Sequence, residues 1–137
     1  MTKFPVKTTL RVRFAETDGA GIVFHGNFFV YFEVARVEYV KKLGIDVRKW
    51  GEDFQALLAE VGCRFKSPVR FEDVLEISIG VSEIKNRSFR MEYRIHNQET
   101  GTLVAEGHTV HVWLDPKTWK PMKLPSELIQ KIKELEE

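Results

Sequence analysis

The chain has 137 residues with 21 basic and 20 acidic side chains, so its formal net charge is only +1. This length indicates about one domain, here residues 1–137, and so small a net charge disfavours nucleic acid as a partner. The single cysteine, Cys63, excludes an internal disulfide, and the sequence has neither a signal-peptide pattern nor an apolar run of about 20 residues, which predicts a cytoplasmic protein without a membrane span.

The first predicted elements are a strand near Leu10 to Phe14 and, directly after it, a glycine-rich loop that carries ionisable side chains. The loop reads ETDGAGIVFHGN over residues 16–27. Two interpretations of it remain open. Either Asp18 and its neighbours turn the chain ahead of a helix, as an Asx-turn does, or they form a reaction site at the N-terminus of that helix.

The segment from Phe28 to Val40 predicts a long hydrophobic helix. It is apolar at ten of thirteen positions, Asn27 is placed to cap its start, and two lysines followed by Gly44 are typical of its end. A helix that is apolar nearly all round needs protein on every side. We therefore expect the rest of the chain to wrap around it.

The remaining chain alternates apolar and polar residues with a period of two, which is typical of half-buried antiparallel strands. Such segments occur at 57–66, 74–84, 89–95 and 103–114. Hairpin loops are predicted at 85–87 and 97–101, and a short amphipathic helix is predicted after Pro125. Together these elements predict an α+β fold in which an antiparallel sheet of about five strands wraps one hydrophobic helix.

The loop and the helix together resemble the start of the hotdog-fold thioesterase family typified by 4-hydroxybenzoyl-CoA thioesterase and the Tol-Pal-associated acyl-CoA thioesterases. That family has an Asp-containing turn, a glycine, a Val-Tyr-His step, an Asn and a helix with Glu-x-x-Arg. The matching residues here are Asp18, Gly21, Val23, His25, Asn27, Glu33 and Arg36. Phe24 and Phe28 stand where the family usually has Tyr, so the roles of those hydroxyl groups do not carry over.

The resemblance implies a hydrolase that converts an acyl-CoA to a free acid and coenzyme A, with no bound cofactor. Asp18 is then the general base or the nucleophile, and His25 and Phe24 complete the candidate catalytic set. Backbone N–H groups from Phe24 to Asn27 are expected to polarise the thioester carbonyl, because a helix N-terminus carries unpaired donors and partial positive charge. The candidate substrate-binding residues of the loop are Gly21, Val23, Gly26 and Asn27.

Structural roles remain open for several of these residues. Asp18 can be an ordinary Asx-turn residue, His25 can anchor the turn by hydrogen bonding, and Asn27 is more simply a helix cap. Glu33 and Arg36 are three residues apart on one helix face, which predicts a partly buried ion pair.

No metal site is predicted. His108 and His111 are three residues apart in a strand, so they face opposite sides and cannot easily share an ion. Cys63 lies on the apolar side of its strand, which predicts a core residue and not a nucleophile.

Lys85 and Arg87 lie in a predicted hairpin loop and Arg90 follows it, and the three are candidates for binding the 3′-phosphate of CoA, as the family's basic residues in this region suggest. A solvated hairpin tip is the alternative. The family pairs two sheets side by side with the active site at the subunit boundary, and long strand edges favour pairing. We therefore expect a homodimer or a homotetramer.

Two other functions compete with hydrolysis. One is a non-catalytic acyl-binding or scaffold protein with the same fold, and the other is a dehydratase that acts on substrates held by an acyl carrier protein. The presence of Asp18 favours the hydrolase. No pattern in the sequence selects the acyl group, or CoA over a carrier protein.

Overall fold

The computed structural model describes residues 2–52 and 54–137. In this part of the chain a long helix lies against an antiparallel sheet, and a shorter helix follows the last strand. The elements are β1 Val6–Arg11, α1 Asn27–Lys42, β2 Ala56–Phe65, β3 Val74–Ile84, β4 Ser88–Asn97, β5 Leu103–Trp113 and α2 Ser126–Glu136. The strand order is β1-β3-β4-β5-β2. This arrangement confirms the predicted α+β class.

Helix α1 buries one face and exposes the other. Its buried face packs on the sheet, where the ring of Phe32 stacks on that of Tyr93 with centroids 4.2 Å apart. On the opposite side Phe29, Val30 and Val34 are 39, 47 and 36 % exposed. The expectation that the chain encloses this helix all round is therefore wrong, because the sheet covers one side only.

The ends of α1 agree with the prediction at the C-terminus and differ from it at the N-terminus. Two lysines form the last turn, and Gly44 follows with φ +83°, a left-handed angle that favours glycine. The cap is Gly26, and Asn27 is the first helical residue. Asn27 does not cap the helix because its Nδ2 donates to the carbonyl oxygen of Glu16 at 2.8 Å.

Strand β1 begins and ends earlier than predicted. It spans Val6–Arg11, whereas Phe14 lies in a 3-10 turn over Phe14–Glu16. The carboxylate of Glu16 accepts hydrogen bonds from the backbone N–H of Arg13 at 2.9 Å and from its Nε at 2.8 Å. These local bonds close the turn and take Phe14 out of the sheet.

Strand β2 lies at an edge of the sheet, where its only strand neighbour among the described residues is β5. Leu57, Leu58 and Phe65 are 48, 44 and 51 % exposed. The alternating pattern correctly predicted a strand, but the predicted half-buried face is wrong. An edge strand has one strand neighbour, and although Phe65 packs against Phe28 of α1 with ring centroids 5.1 Å apart, these side chains stay largely exposed.

The central strands and the predicted loops agree with the sequence analysis. The inward side chains of β3 and β4, such as Ile77 and Ile95, are fully buried. The backbone N–H of Lys85 donates to the carbonyl of Ser88 at 2.8 Å, which closes the β3–β4 hairpin. In the described part of the chain, no helix combines the length and the hydropathy needed to cross a membrane.

The terminal helix α2 is fastened through Glu136. Its carboxylate accepts hydrogen bonds from the hydroxyl of Thr2 at 2.6 Å, the hydroxyl of Tyr39 at 2.7 Å and the backbone N–H of Val81 at 2.7 Å. Burial, and then the bond to Glu136, raises the pKa of Tyr39, so this hydroxyl remains a donor. One carboxylate thus joins the two ends of the chain to α1 and β3.

Candidate functional site

The ionisable loop folds into a small hairpin in front of α1. Thr17 and Val23 form an antiparallel bridge, and the N–H of Asp18 donates to the carbonyl of Ile22 at 2.8 Å. Gly21 turns the tip with φ +82°, and its N–H donates to the carbonyl of Asp18 at 3.1 Å. Because that φ favours glycine, Gly21 has a structural reason to be present. Its predicted contact with substrate stays a prediction.

Backbone and side-chain bonds hold this hairpin on the rest of the fold. The N–H of Val23 donates to the carbonyl of Val69 at 2.7 Å. The carbonyl of Glu16 accepts from the N–H of Phe24 at 2.9 Å and from Nδ2 of Asn27 at 2.8 Å. Val23 is buried, with 7 % of its surface exposed. Val23 and Asn27 therefore hold the loop in place, and their predicted contacts with substrate stay predictions.

Asp18 forms the Asx-turn that one interpretation predicted. Its Oδ1 accepts a hydrogen bond from the N–H of Ala20 at 2.8 Å. The side chain is exposed, and its Oδ2 has no hydrogen-bond partner in residues 2–52 and 54–137. The turn occupies one oxygen and leaves the other to solvent, so the structural and the chemical interpretations of Asp18 are compatible.

Two backbone donors at the start of α1 are open to a ligand. The N–H of Phe24 is bonded to the carbonyl of Glu16, and the N–H of Asn27 to the carbonyl of Phe24, both at 2.9 Å. Those of His25 and Gly26 donate to no acceptor in the described part of the chain. Local bonds therefore occupy the N–H groups of Phe24 and Asn27, so of the expected donor set only His25 and Gly26 remain free, and their contact with a thioester carbonyl stays a prediction.

Aromatic rings cluster at the start of α1. The rings of Phe24 and His25 are 4.2 Å apart, and Phe65 lies 6.3 Å from His25 and 5.1 Å from Phe28, measured between centroids. The exposed imidazole of His25 forms no hydrogen bond with the described residues, so hydrogen bonding is not how it holds the turn. A Cβ at Gly26 would come within 2.9 Å of the Phe24 ring. Glycine at this position lets the ring lie over the backbone.

Arg36 has a partner that the sequence did not predict. Its Nη1 donates to the hydroxyl of Tyr93 at 3.3 Å. That hydroxyl shares a 2.7 Å hydrogen bond with Thr109, and Thr109 shares one of 2.9 Å with Nε2 of His111. The side chain of Glu33 is exposed, and it forms no ion pair with the guanidinium of Arg36. The predicted Glu33–Arg36 ion pair is therefore wrong, because Arg36 turns inward to this polar chain.

A cavity of about 320 Å³ opens between α1 and the β2–β5 edge. Its walls are Glu33, Arg36, Val37, Trp50, Ala56, Leu58 and His111. Burial, and then the positive charge of Arg36, lowers the pKa of His111 to about 3. The cavity thus combines apolar side chains with a neutral imidazole, the carboxylate of Glu33 and a guanidinium that has no carboxylate within ion-pair distance among the described residues. The sequence signals were an arginine on an apolar helix and a histidine in a strand, and neither signal located the cavity.

His108 and Cys63, considered above as a metal ligand and a nucleophile, each lie in a local environment that accounts for them. Nε2 of His108 lies 2.7 Å from a carboxylate oxygen of Glu60. Cys63 is partly buried, and burial raises the pKa of its thiol to about 11, so it is protonated at neutral pH. Among the described residues no group of three or more His, Cys, Asp or Glu side chains could hold a metal ion. The absence of a metal site stays a prediction.

The basic hairpin lies at the opposite end of the sheet from Asp18. The carbonyl of Arg87 accepts from the N–H of Trp113, at the end of β5. Phe65, which borders His25, pairs with Ala105, and Ala105 pairs with Ile95. Seven residues of β4 separate Ile95 from the hairpin end of that strand, roughly 23 Å at about 3.3 Å per residue. Within one chain the structure does not bring the basic residues to the loop.

Two of the three basic residues have acidic partners. Lys85 lies 3.8 Å from a carboxylate oxygen of Glu83, and Nε of Arg90 donates to Glu92 at 2.6 Å. Arg90 also lines a groove of about 1060 Å³ between the N-terminal segment and strands β2, β4 and β5. Asp18, His25 and Gly26 do not line that groove. Arg90 therefore belongs to a different surface from the candidate site.

Comparison with known proteins points to one family. The family described as Thioesterase-like superfamily matches residues 12–132. Acyl-CoA thioester hydrolase YbgC of Escherichia coli O6:H1 is 27 % identical over 126 residues, 91 % of this chain and 93 % of that protein. The 1,4-dihydroxy-2-naphthoyl-CoA hydrolase of Thermosynechococcus vestitus is 28 % identical over 119 residues, 85 % and 81 % of the two chains. A thioesterase from Thermus thermophilus, crystallised with coenzyme A and Zn, has a TM-score of 0.88 and 27 % identity over 99 % and 97 % of the two chains.

Proposed function

The chain belongs to the thioesterase-like superfamily and is a thioester hydrolase with the predicted hotdog fold, and from this premise we propose that it hydrolyses acyl-CoA at the hairpin before α1. One observation supports this site most directly. The exposed Asp18 carboxylate, with an unbonded Oδ2, and the unpaired N–H groups of His25 and Gly26 belong to one hairpin–helix junction. Asp18 lies opposite Ile22, and His25 and Gly26 follow Ile22 by three and four residues, so at most roughly 10–13 Å of chain separates Asp18 from the donors. We propose that the thioester carbonyl binds between Asp18 and these donors.

In the first of two possible routes, Asp18 is a general base. Its Oδ2 takes a proton from a water molecule whose oxygen attacks the carbonyl carbon. The N–H groups of His25 and Gly26 hold the resulting oxyanion, a kind of contact whose removal typically costs about 10²–10³ in rate. When the tetrahedral intermediate collapses, the C–S bond breaks and the leaving sulfur receives the proton from Asp18.

In the second route, Asp18 is the nucleophile. Its Oδ2 attacks the carbonyl carbon, the C–S bond breaks and CoA leaves as the thiolate. The product is an anhydride between the acyl group and Asp18. Water then attacks this anhydride, which releases the acid and restores the carboxylate. Both routes use the same two donors for the oxyanion.

We also propose that β2 pairs with β2 of a second copy. This edge carries exposed apolar side chains at Leu57, Leu58, Val61 and Phe65, and an apolar edge of ten residues is normally covered. A two-fold axis normal to the sheet pairs the two edges antiparallel. The Ala56 end of the partner strand then lies beside the Phe65 end of this one.

Light scattering at micromolar concentration is expected to show at least twice the 16.0 kDa chain mass. Val61→Lys is expected to lower that mass and the turnover together, since a charge in the middle of β2 opposes pairing. Met122→Lys is a matched control, because Met122 is 38 % exposed and Val61 is 37 % exposed. A fully active protein of monomer mass would contradict both the dimer and the shared site.

In this dimer the cavity and the basic hairpin of one subunit approach Asp18 of the other. Both lie near the Ala56 end of β2, since Ala56 pairs with Trp113 and Leu58 with His111. We propose that the acyl group enters the cavity lined by the partner subunit's Arg36 and the partner subunit's His111. The partner's Lys85 and the partner's Arg87 are then the candidates for the CoA phosphates. The antiparallel pairing of the two β2 strands thus removes the offset of roughly 23 Å along the strands that separates the hairpin from the loop within one chain.

Reversing the charge of Lys85 and Arg87 together, both to Glu, is expected to raise KM for acyl-CoA at least tenfold. KM for the same acyl group on a short thiol without a nucleotide is expected to change little, because that substrate has no phosphate to repel. Steady-state kinetics with the two substrates checks this. Equal effects on both would remove these residues from CoA binding.

A mixed dimer tests whether the hairpin acts across the subunit boundary. One subunit carries Asp18→Asn and the other carries the reversed hairpin. If the hairpin serves the partner's Asp18, one of the two sites is fully native, and the mixed dimer recovers the wild-type KM with about half the wild-type turnover. If each hairpin serves its own Asp18, the only active site keeps the reversed charges and the raised KM.

A further inference from the structure

Glu16 occupies the point where the 3-10 turn, the hairpin and α1 meet. Its surface is only 8 % exposed, although carboxylates are seldom buried without partners. Three donors satisfy it: the N–H of Arg13 at 2.9 Å, Nε of Arg13 at 2.8 Å and the hydroxyl of Tyr31 at 2.9 Å. The side chain thus joins Arg13, which precedes the 3-10 turn, to Tyr31 in the second turn of α1.

The backbone of Glu16 holds the other side of the hairpin. Its carbonyl oxygen accepts from the N–H of Phe24 at 2.9 Å and from Nδ2 of Asn27 at 2.8 Å. Asp18 follows two residues later on one strand, and His25 directly follows Phe24 on the other. Glu16 therefore links the position of the Asp18 carboxylate to the position of the free N–H groups of His25 and Gly26.

The charge of Glu16 is stable in this setting. Burial opposes its ionisation, but the hydrogen bonds from Arg13 and Tyr31 outweigh burial and hold its pKa below the usual value. Burial, and then the bond to Glu16, raises the pKa of Tyr31, which therefore stays a donor. At neutral pH an anion faces three donors, and its hydrogen bonds are of the strong, charge-assisted kind.

We propose that Glu16 is a positioning residue for thioester hydrolysis, which sets the distance between Asp18 and the N–H groups of His25 and Gly26. This inference rests on the function proposed above. The carboxylate fixes the start of the hairpin to Arg13 and to α1. The carbonyl occupies the N–H of Phe24, so that the next two donors along the chain are the ones left for an oxyanion. Neither group of Glu16 touches the substrate.

Glu16→Gln tests the proposal, because the amide keeps the size of the side chain but loses its charge and turns an NH₂ group toward existing donors. We expect kcat to fall about 10- to 100-fold with KM within roughly threefold, since a displacement of about 1 Å at a reaction site can cost about 100-fold in rate. Glu16→Asp, which keeps the charge, is expected to restore part of kcat. The matched control is Glu72→Gln, an exposed carboxylate that also pairs with an arginine, Arg11.

Thermal unfolding and the kinetics of Asp18→Asn separate the possible outcomes. A lower Tm with unchanged kcat in the folded Glu16→Gln protein would overturn the proposal and leave Glu16 as a stabilising residue. If Asp18→Asn is inactive while Glu16→Gln has wild-type kcat, the proposed function stands and this inference fails. If Asp18→Asn is fully active, both fail. Should Glu16→Gln not fold, Tyr31→Phe removes a single donor, and unchanged kcat in that variant also overturns the proposal.

Discussion

Asp18→Asn is expected to lower kcat by about 10² or more while it changes the free energy of unfolding by less than about 1 kcal/mol. Asparagine keeps the Oδ1 that accepts the N–H of Ala20 at 2.8 Å, so the turn is retained. It lacks the negative charge and the basicity of the free Oδ2. Steady-state kinetics with acyl-CoA and thermal unfolding of the same sample measure the two quantities.

Deamidation needs control in this variant. Asn before Gly19 is prone to revert to Asp, so the intact mass must be verified before and after the assay. Asp18→Ala is a second control, which cannot revert but also loses the turn. A verified Asp18→Asn protein with full activity and wild-type stability would leave the hairpin as architecture alone.

Isotope labelling separates the two routes for Asp18. With enzyme in excess over acyl-CoA in H₂¹⁸O, the nucleophile route places ¹⁸O in the carboxylate of Asp18 when water attacks its carbonyl in the anhydride. The general-base route places ¹⁸O only in the released acid. Label in Asp18, found by peptide mass analysis, therefore identifies the nucleophile route, whereas label in the acid alone fits the general-base route or attack at the acyl carbonyl of the anhydride.

Gly107→Ala is expected to cause the largest loss of stability of any substitution proposed for this protein. A Cβ at this position of β5 would overlap the carbonyl oxygen of Gly62 and lie 2.6 Å from Cζ of Phe32. Phe32 is fully buried and stacked on Tyr93, so neither neighbour can move away. Overpacking of this kind costs about 1–3 kcal/mol or more, which lowers Tm by roughly 5–10 °C in a chain of this size.

Gly19→Ala is the control for that effect. Its Cβ would have no neighbour within 4 Å, and its backbone is not left-handed, so we expect a change within about 0.5 kcal/mol. Calorimetry or circular dichroism during heating compares the two variants. Because Phe32 belongs to α1, whose first turn borders the site, Gly107→Ala is also expected to lower activity. A wild-type Tm for Gly107→Ala would show that the sheet can relax around the added methyl group.

The sequence predicted well whatever depends on neighbouring residues. Alternation with a period of two located the strands, and Gly44 marked the end of α1, because both signals arise from local backbone geometry. Asp18, His25 and Gly26 were identified for a similar reason. The candidate site lies within one continuous hairpin, so a single stretch of sequence contains its main chemical groups.

The hydrogen-bond partners of the residues in and after that stretch depend on the tertiary fold. The sequence predicts the N–H of Phe24 as a donor to substrate, but in the structure the carbonyl of Glu16, eight residues earlier, accepts that N–H. Arg36 was expected to pair with Glu33 along the helix, yet its partner is Tyr93 on β4. Backbone and side-chain donors are satisfied by whichever acceptor the fold brings near, and distance along the chain does not determine that choice.

The sequence by itself determined the elements, the α+β class and the position of the reactive loop. Only the tertiary structure decided that β2 lies at an edge, that one face of α1 remains uncovered, and that the basic hairpin and the loop lie at opposite ends of the sheet. The physical reason is that an alternating pattern states which side chains prefer burial and does not state which strand will cover them. Burial and proximity follow from strand order, and strand order depends on contacts between residues far apart in the chain.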